Sequence, residues 1–300
     1  MSGHSASTSA YQSLAVRLRD VEEAERVLAE ALEAGAVGAE QREAGEGVTL
    51  VLYAPRSEIA AVAAACRALG TGALEPPADL DAVDWSEAWK AGLRAVEISP
   101  RLRVRPPFDA SPLPAGQQEL VIEPGQAFGT GGHESTRLAL AWLDALRPAL
   151  DGARVLDAGV GSGVLALAAL RLGARWALGF DLDPLAAPAA RANARANGLT
   201  RSLSLFTGPL EALDPAARFD GIAANLLRRE LEPLLPILAT RLQSEAWFVI
   251  AGLLVDELPG IELLARAEGL RLEAVKSMRD ASGVEWIGAL MRRAPRRAAR

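Results

Sequence analysis

Apolar side chains recur at two different spacings along this chain, and the switches between them mark out its elements. Leu14-Ala15-Val16-Arg17-Leu18 is apolar at every second position, as a half-buried strand requires. Asp20 then stands at a helix N-cap position, with Glu23 three residues on as the partner of a capping box. Val21, Ala24, Leu28 and Leu32 share one face of that helix, and Gly35 lies where a C-terminal glycine belongs. Residues 48–53 read as a further strand. Residues 57–69 read as a helix with Ile59, Val62, Cys66 and Leu69 on one stripe. Strand, helix, strands and helix over residues 11–75 predict a small ferredoxin-like α+β domain. Cys66, on the apolar stripe, reads as a core residue rather than a reactive thiol.

A proline-rich break at Glu75-Pro76-Pro77 predicts a linker over residues 76–100. Within it Trp85 and Trp89 are four apart, and so share a helix face. From residue 101 to 293 strand and helix patterns alternate, as a parallel, doubly wound α/β sheet requires. Strands are expected at 202–206, 219–225 and 247–253, and a closing pair at 270–277 and 284–291 is joined by Arg279-Asp280-Ala281-Ser282-Gly283. Asp183 and Pro184 are expected to cap and open the helix after the second strand; Pro188 then falls one turn in, where a proline is unexplained. Residues 1–10 read as a disordered tail and 294–300 as a basic, solvated one.

The densest chemistry lies at Val155-Leu156-Asp157-Ala158-Gly159-Val160-Gly161-Ser162-Gly163, followed by a helix and then by Asp181 at the end of the next strand. Alternate glycines let the backbone approach a ligand, and the helix start presents unpaired N–H groups. An acid closing the following strand is placed to hold ribose hydroxyls. A dinucleotide fingerprint would need a third glycine at Val164, and no phosphate-binding G-x-x-x-x-G-K-[ST] loop occurs. Asp157 would set a carboxylate beside the ligand, which suits a cation better than a pyrophosphate. The pattern resembles the S-adenosylmethionine motif of class I methyltransferases.

Composition narrows the classes further. Half of the 300 residues are hydrophobic and the net charge is −6, so there is no general attraction to nucleic acid. One cysteine excludes an internal disulfide, and no apolar run reaches membrane-spanning length. Two histidines, one of them His4 in the tail, offer no metal-ligand spacing, and a metal is not expected.

Two more stretches bear on function. A glycine-rich loop, Glu123-Pro124-Gly125-Gln126-Ala127-Phe128-Gly129-Thr130-Gly131-Gly132-His133, precedes a helix that Ser135 or Thr136 can cap. It reads as a lid over the ligand, with Phe128, Gly129 and Gly131 as contacts and His133 as a candidate base. Asn225-Leu226-Leu227 ends the fourth strand, where α/β ligands bind, so the Asn225 amide can orient an incoming amine.

Taken together, the loop at 123–131, the 157–163 motif, Asp181-Leu182-Asp183-Pro184 and Asn225-Leu226 closely resemble the PrmA family, methyltransferases of the eleventh large-subunit ribosomal protein. The resemblance covers residues 84–290 well and the first domain only in outline. Gly132, Glu134 and Val160 depart from residues that members often show. It implies a recruiting N-terminal domain, a flexible linker, and trimethylation of α-amino and lysine ε-amino groups; a cytoplasmic location and a monomer are separate expectations. It also implies cofactor contacts at Thr136, Gly159, Asp181 and Asn225, beside Asp157, Gly161 and Gly163 from the motif itself. Other readings remain: an amino-group methyltransferase of another protein or of nucleic acid, a nicotinamide oxidoreductase, and a non-catalytic S-adenosylmethionine-binding protein of the ribosome. Val164 and Asp157 disfavour the oxidoreductase, and Leu226-Leu227 cannot stack a base.

Overall fold

The computed structural model describes residues 11–44, 47–69, 72–79, 93–124 and 131–295. The tails, both linker tryptophans and residues 125–130 of the glycine-rich loop, including Phe128 and Gly129, lie outside the described residues. The chain divides between Gly92 and Leu93 into two compact units.

The first unit runs β1 (Tyr11–Leu18), α1 (Val21–Glu33), β2 (Gly38–Ala44), β3 (Gly47–Pro55), α2 (Ile59–Ala68), β4 (Ala73–Leu74) and β5 (Ala78–Asp79). Its antiparallel sheet has the order β2-β3-β1-β4, with β5 also pairing on β1. Each long helix therefore links strands that a third strand separates, the split arrangement of a ferredoxin-like fold. Asp20 caps α1 by accepting the amide of Glu23 at 2.8 Å. The Glu23 carboxylate returns to the amide of Arg19 at 2.7 Å, one residue earlier than a capping box would have it. Leu14, Val16, Val27, Leu52, Val62 and Cys66 fill the core, and burial pushes the Cys66 thiol up. Leu32 and Leu69, expected on the buried faces, lie near the helix ends and remain 48% and 37% exposed.

The second unit begins before residue 101, with a small mixed sheet of β6 (Val96–Ser99), β7 (Leu102–Arg105) and β8 (Gln118–Val121) in that order. Both ends of the expected linker, 78–79 and 96–99, are thus built into sheets. There follow α3 (Glu134–Ala145), β9 (Arg154–Ala158), α4 (Val164–Arg171), β10 (Trp176–Asp181), α5 (Ala186–Ala196), β11 (Leu203–Thr207), β12 (Phe219–Asn225), α6 (Arg228–Arg241), β13 (Leu242–Leu254), α7 (Leu258–Ala267), β14 (Leu270–Arg279) and β15 (Glu285–Arg293). They form a seven-stranded sheet of order β11-β10-β9-β12-β13-β15-β14. Its first five strands are parallel, and β15 inserts antiparallel between β13 and β14.

This is a Rossmann-like class I fold with apolar layers on both sheet faces. Gly221 in β12 makes room for Trp247, whose ring lies 1.9 Å from where a Cβ would stand. The helix after β10 starts at Ala186 with Leu185 as its N-cap, later than Asp183-Pro184 predicted. Pro188 accordingly occupies the third helical position, where no helical carbonyl awaits its missing N–H. Among the described residues no helix is long and apolar enough to cross a membrane.

Candidate active site

The chain leaves β9 toward β10 and β11 on one side and later returns to β12 and β13 on the other. Between β9 and β12 lies the topological switch point, where open α/β sheets bind ligands beyond the strand ends. A cavity of about 710 Å³ opens there, within the usual size range of ligand sites. Of the expected residues His133, Gly159, Gly161, Asp181 and Asn225 line it, whereas Thr136, Asp157, Gly163 and Gly131 do not. Gly131 packs on Val104 in the smaller sheet.

The turn after β9 takes its shape from glycine. Gly159, Gly161 and Gly163 have φ of +75°, +47° and +83°, a region that other residues enter only with strain. A Cβ on Gly159 would also come within 2.5 Å of Leu226, and one on Gly163 within 2.9 Å of Ala190. The amides of Gly159 and Val160 both bond the carbonyl of Phe180, tying the turn to the end of β10. Asp181 completes the tie. Its Oδ2 accepts the Gly161 amide at 2.9 Å and its Oδ1 the Asp183 amide at 3.0 Å.

Asp157 is 1% exposed, and its Oδ2 accepts the amide of Ala166 at 2.9 Å, joining α4 to β9. Its Oδ1 has no partner among the described residues. Burial raises its pKa well above the usual carboxylate range against the Ala166 bond, and the charge of Asp181 adds to the rise. A cation bound nearby would offset that penalty.

Across the cavity, the Nδ2 of Asn225 donates to the Oγ1 of buried Thr136 at 3.1 Å, leaving Oδ1 buried and without a partner among the described residues. His133, rather than Ser135 or Thr136, is the N-cap of α3. Its Nδ1 accepts the amide of Ser135 and lies 2.8 Å from the Ser135 hydroxyl. His133 therefore serves first as a helix cap. Its ring meets Trp286 edge-on, with centroids 4.6 Å apart, and the Nε1 of Trp286 donates to Asp280 at 3.0 Å.

Trp286 and Glu230 line the cavity and were not among the expected site residues. Neither were Asn193 and Asn197 in and just after α5. They bond the backbone of Val121 and Glu123 at 2.6–2.9 Å, and Asn193 also donates to the carbonyl of Ser162 in the glycine turn. Their four-residue spacing was the available signal, since it puts both amides on one helix face. The charged residues of the cavity wall, Asp181, Asp183 and Glu230, are all acidic.

A glycine turn, a strand-ending acid and a strand-ending Asn around one cavity, on this sheet order, define a Rossmann-like class I methyltransferase. The family model for ribosomal protein L11 methyltransferase (PrmA) matches residues 10–292. The chain belongs to that family. It is 38% identical over 265 residues to the ribosomal protein L11 methyltransferase of Deinococcus radiodurans, covering 87% of this chain and 92% of that protein. The protein of the same name from Pelobacter propionicus is 40% identical over 216 residues, 71% of this chain and 68% of that one. Among solved structures, a ribosomal protein L11 methylase from Lactobacillus delbrueckii subsp. bulgaricus superposes with a TM-score of 0.58 at 31% identity. That match covers 67% of this chain and 99% of that one.

Proposed function

We propose that this chain methylates amino groups of ribosomal protein L11, both α-amino and lysine ε-amino, using S-adenosylmethionine, in the cytoplasm and as a monomer. The observation that carries the reading is one cavity with Asp181 and the glycine turn on one side and Asn225 on the other, its buried Oδ1 without a partner among the described residues. The residues present fit the cofactor. Buried Asp157 and the carboxylates of Asp181 and Asp183 suit a cation, and Asp181 retains lone pairs beyond its two amide bonds for ribose hydroxyls. When bound, S-adenosylmethionine supplies an electrophilic methyl group on a sulfonium sulfur.

The residues of the chain position the reactants and govern protonation. Gly159 and Gly161 admit the ligand against bare backbone, and Asn225 accepts an N–H of the incoming amine, turning its lone pair toward the methyl group. The amine must first be neutral. At neutral pH this costs about 4–5 kcal/mol for a lysine of ordinary pKa near 10.4, and about 1 kcal/mol for an α-amine near 8. Beside the positive charge of a bound sulfonium and the aliphatic side chains of Leu226 and Leu227 the charged amine is disfavoured, which lowers both values, so no dedicated base is required. Leu226 and Leu227 follow Asn225 where a base-stacking ring would serve a nucleic-acid substrate.

Mass spectrometry of purified L11 incubated with the chain and S-adenosylmethionine tests the reading. Methyl additions mapped to its amino terminus and lysines are expected; an unmodified protein would refute it.

A further inference from the structure

The cavity wall carries one acid that belongs neither to the glycine turn nor to the end of β10. Glu230 lies in the first turn of α6, five residues past Asn225. Its Oε2 accepts the amide of Leu227 at 3.2 Å, which holds the carboxylate at the cavity, and its Oε1 has no protein partner among the described residues. Arg228, two residues before it, pairs with Glu232 at 2.6 Å, and among the described residues neither it nor the adjacent Arg229 forms an ion pair with Glu230. Beside it Leu226, Leu227, Pro233 and Leu234 form an aliphatic wall. An aliphatic wall ending at such a carboxylate fits a side chain with a methylene stem and a cationic head.

Resting on the methyltransferase reading, we propose that Glu230 is a specificity-determining residue: it binds the ammonium form of the incoming lysine as its stem lies along Leu226, Leu227, Pro233 and Leu234. This is a binding step, before proton loss and transfer. Asn225 orients the amine once it is neutral. Division of the work between two residues follows from their chemistry, since a carboxylate favours the ammonium that the transfer itself excludes.

Glu230→Gln is the discriminating variant, because the glutamine Oε1 can still accept the Leu227 amide while the charge is gone. With purified L11 as substrate, KM should rise about fivefold, the scale of a solvent-accessible ion pair. The loss should fall on KM more than on kcat, and the dependence of KM on salt should weaken. Affinity for S-adenosylmethionine by calorimetry and the melting temperature should match wild type. Glu230→Lys should raise KM further. An unchanged KM in Glu230→Gln, or a rise accompanied by a lowered melting temperature and an unaltered salt dependence, would overturn the proposal and leave Glu230 as a helix cap. Failure of the wild-type chain to methylate L11 is a different result, and overturns the methyltransferase reading instead.

Discussion

Asn225 and Asp157 show how much of this site depends on single polar atoms. The bond from Nδ2 of Asn225 to Thr136 fixes the amide and leaves Oδ1 as the acceptor. Asn225→Ala should therefore cut turnover by about a hundredfold at saturating S-adenosylmethionine, the loss expected when a positioning group is removed. Its melting temperature should move little, because the residue ends a strand. A wild-type rate would reduce Asn225 to a strand terminator. Asp157 carries a raised pKa, so between the ordinary carboxylate value and that raised one the folded chain binds a proton that the unfolded chain has lost. Its contribution to stability is therefore fully present at low pH and falls as pH rises above the ordinary carboxylate range. Asp157→Asn keeps an acceptor for the Ala166 amide and removes this penalty. A melting temperature about 2–4 °C higher at neutral pH is expected, the equivalent of ~1 kcal/mol in a unit of this size. Affinity for the cationic cofactor should fall about tenfold, or 1.4 kcal/mol. Calorimetry on both variants checks these outcomes, and unchanged cofactor affinity would remove Asp157 from the electrostatics of the site.

Among the elements, the β14–β15 hairpin has the clearest local control. Asp280 accepts bonds from the hydroxyl and amide of Ser282, from the amide of Val284 and from the indole of Trp286, at 2.6–3.0 Å. These bonds, the Ser282 and Trp286 side chains foremost, lower its pKa from 3.8 to about 2. A depressed carboxylate stabilises the folded state fully above its ordinary pKa and loses that contribution as pH falls through the lower value. An NMR titration of the Asp280 carboxyl should therefore have its midpoint near 2, and a midpoint near 3.8 would show that the turn is not held this way in solution. Asp280→Asn should also free the Trp286 indole and alter its fluorescence. Because Trp286 lines the cavity and meets His133, the same turn fixes one wall of the site.

For the whole molecule, the division between Gly92 and Leu93 leads to a truncation test. Each unit has its own buried core, and β6 pairs within the second unit, so the cut belongs before Val96 rather than at Arg101. A fragment of residues 93–300 should bind S-adenosylmethionine within about threefold of the full chain. If the first unit recruits the substrate, methylation of intact L11 by the fragment should fall at least about tenfold, since the second binding contact is gone. Full activity would show that the first unit is not the recruiter.

Local pattern alone was enough for the features that depend on neighbours in sequence. The strand, glycine turn and helix at 155–172, the acid at Asp181, the Asn ending β12, and β1, β3 and the two helices of the first unit are all written in side-chain spacing and conformational preference. These are short-range properties, set by sterics and by which face a residue takes. What the tertiary structure decided depends on partners far apart in the chain. Strands β7 and β8 carry Arg103, Arg105 and Glu119, and the sheet brings the carboxylate between the two guanidiniums, at 2.5 and 2.9 Å. Strand β2, Gly-Ala-Glu-Gln-Arg-Glu-Ala, has no apolar alternation and forms by pairing along β3. Asn193 and Asn197 act on residues 70 and 76 positions earlier, and Trp286 reaches the cavity because β15 inserts beside β13. Local spacing can put two such groups on one face, as for Asn193 and Asn197, but it does not say which distant residues they meet. Those contacts exist once the sheet has brought the strand ends together, and that is also when Glu230 joins Asn225 on one wall.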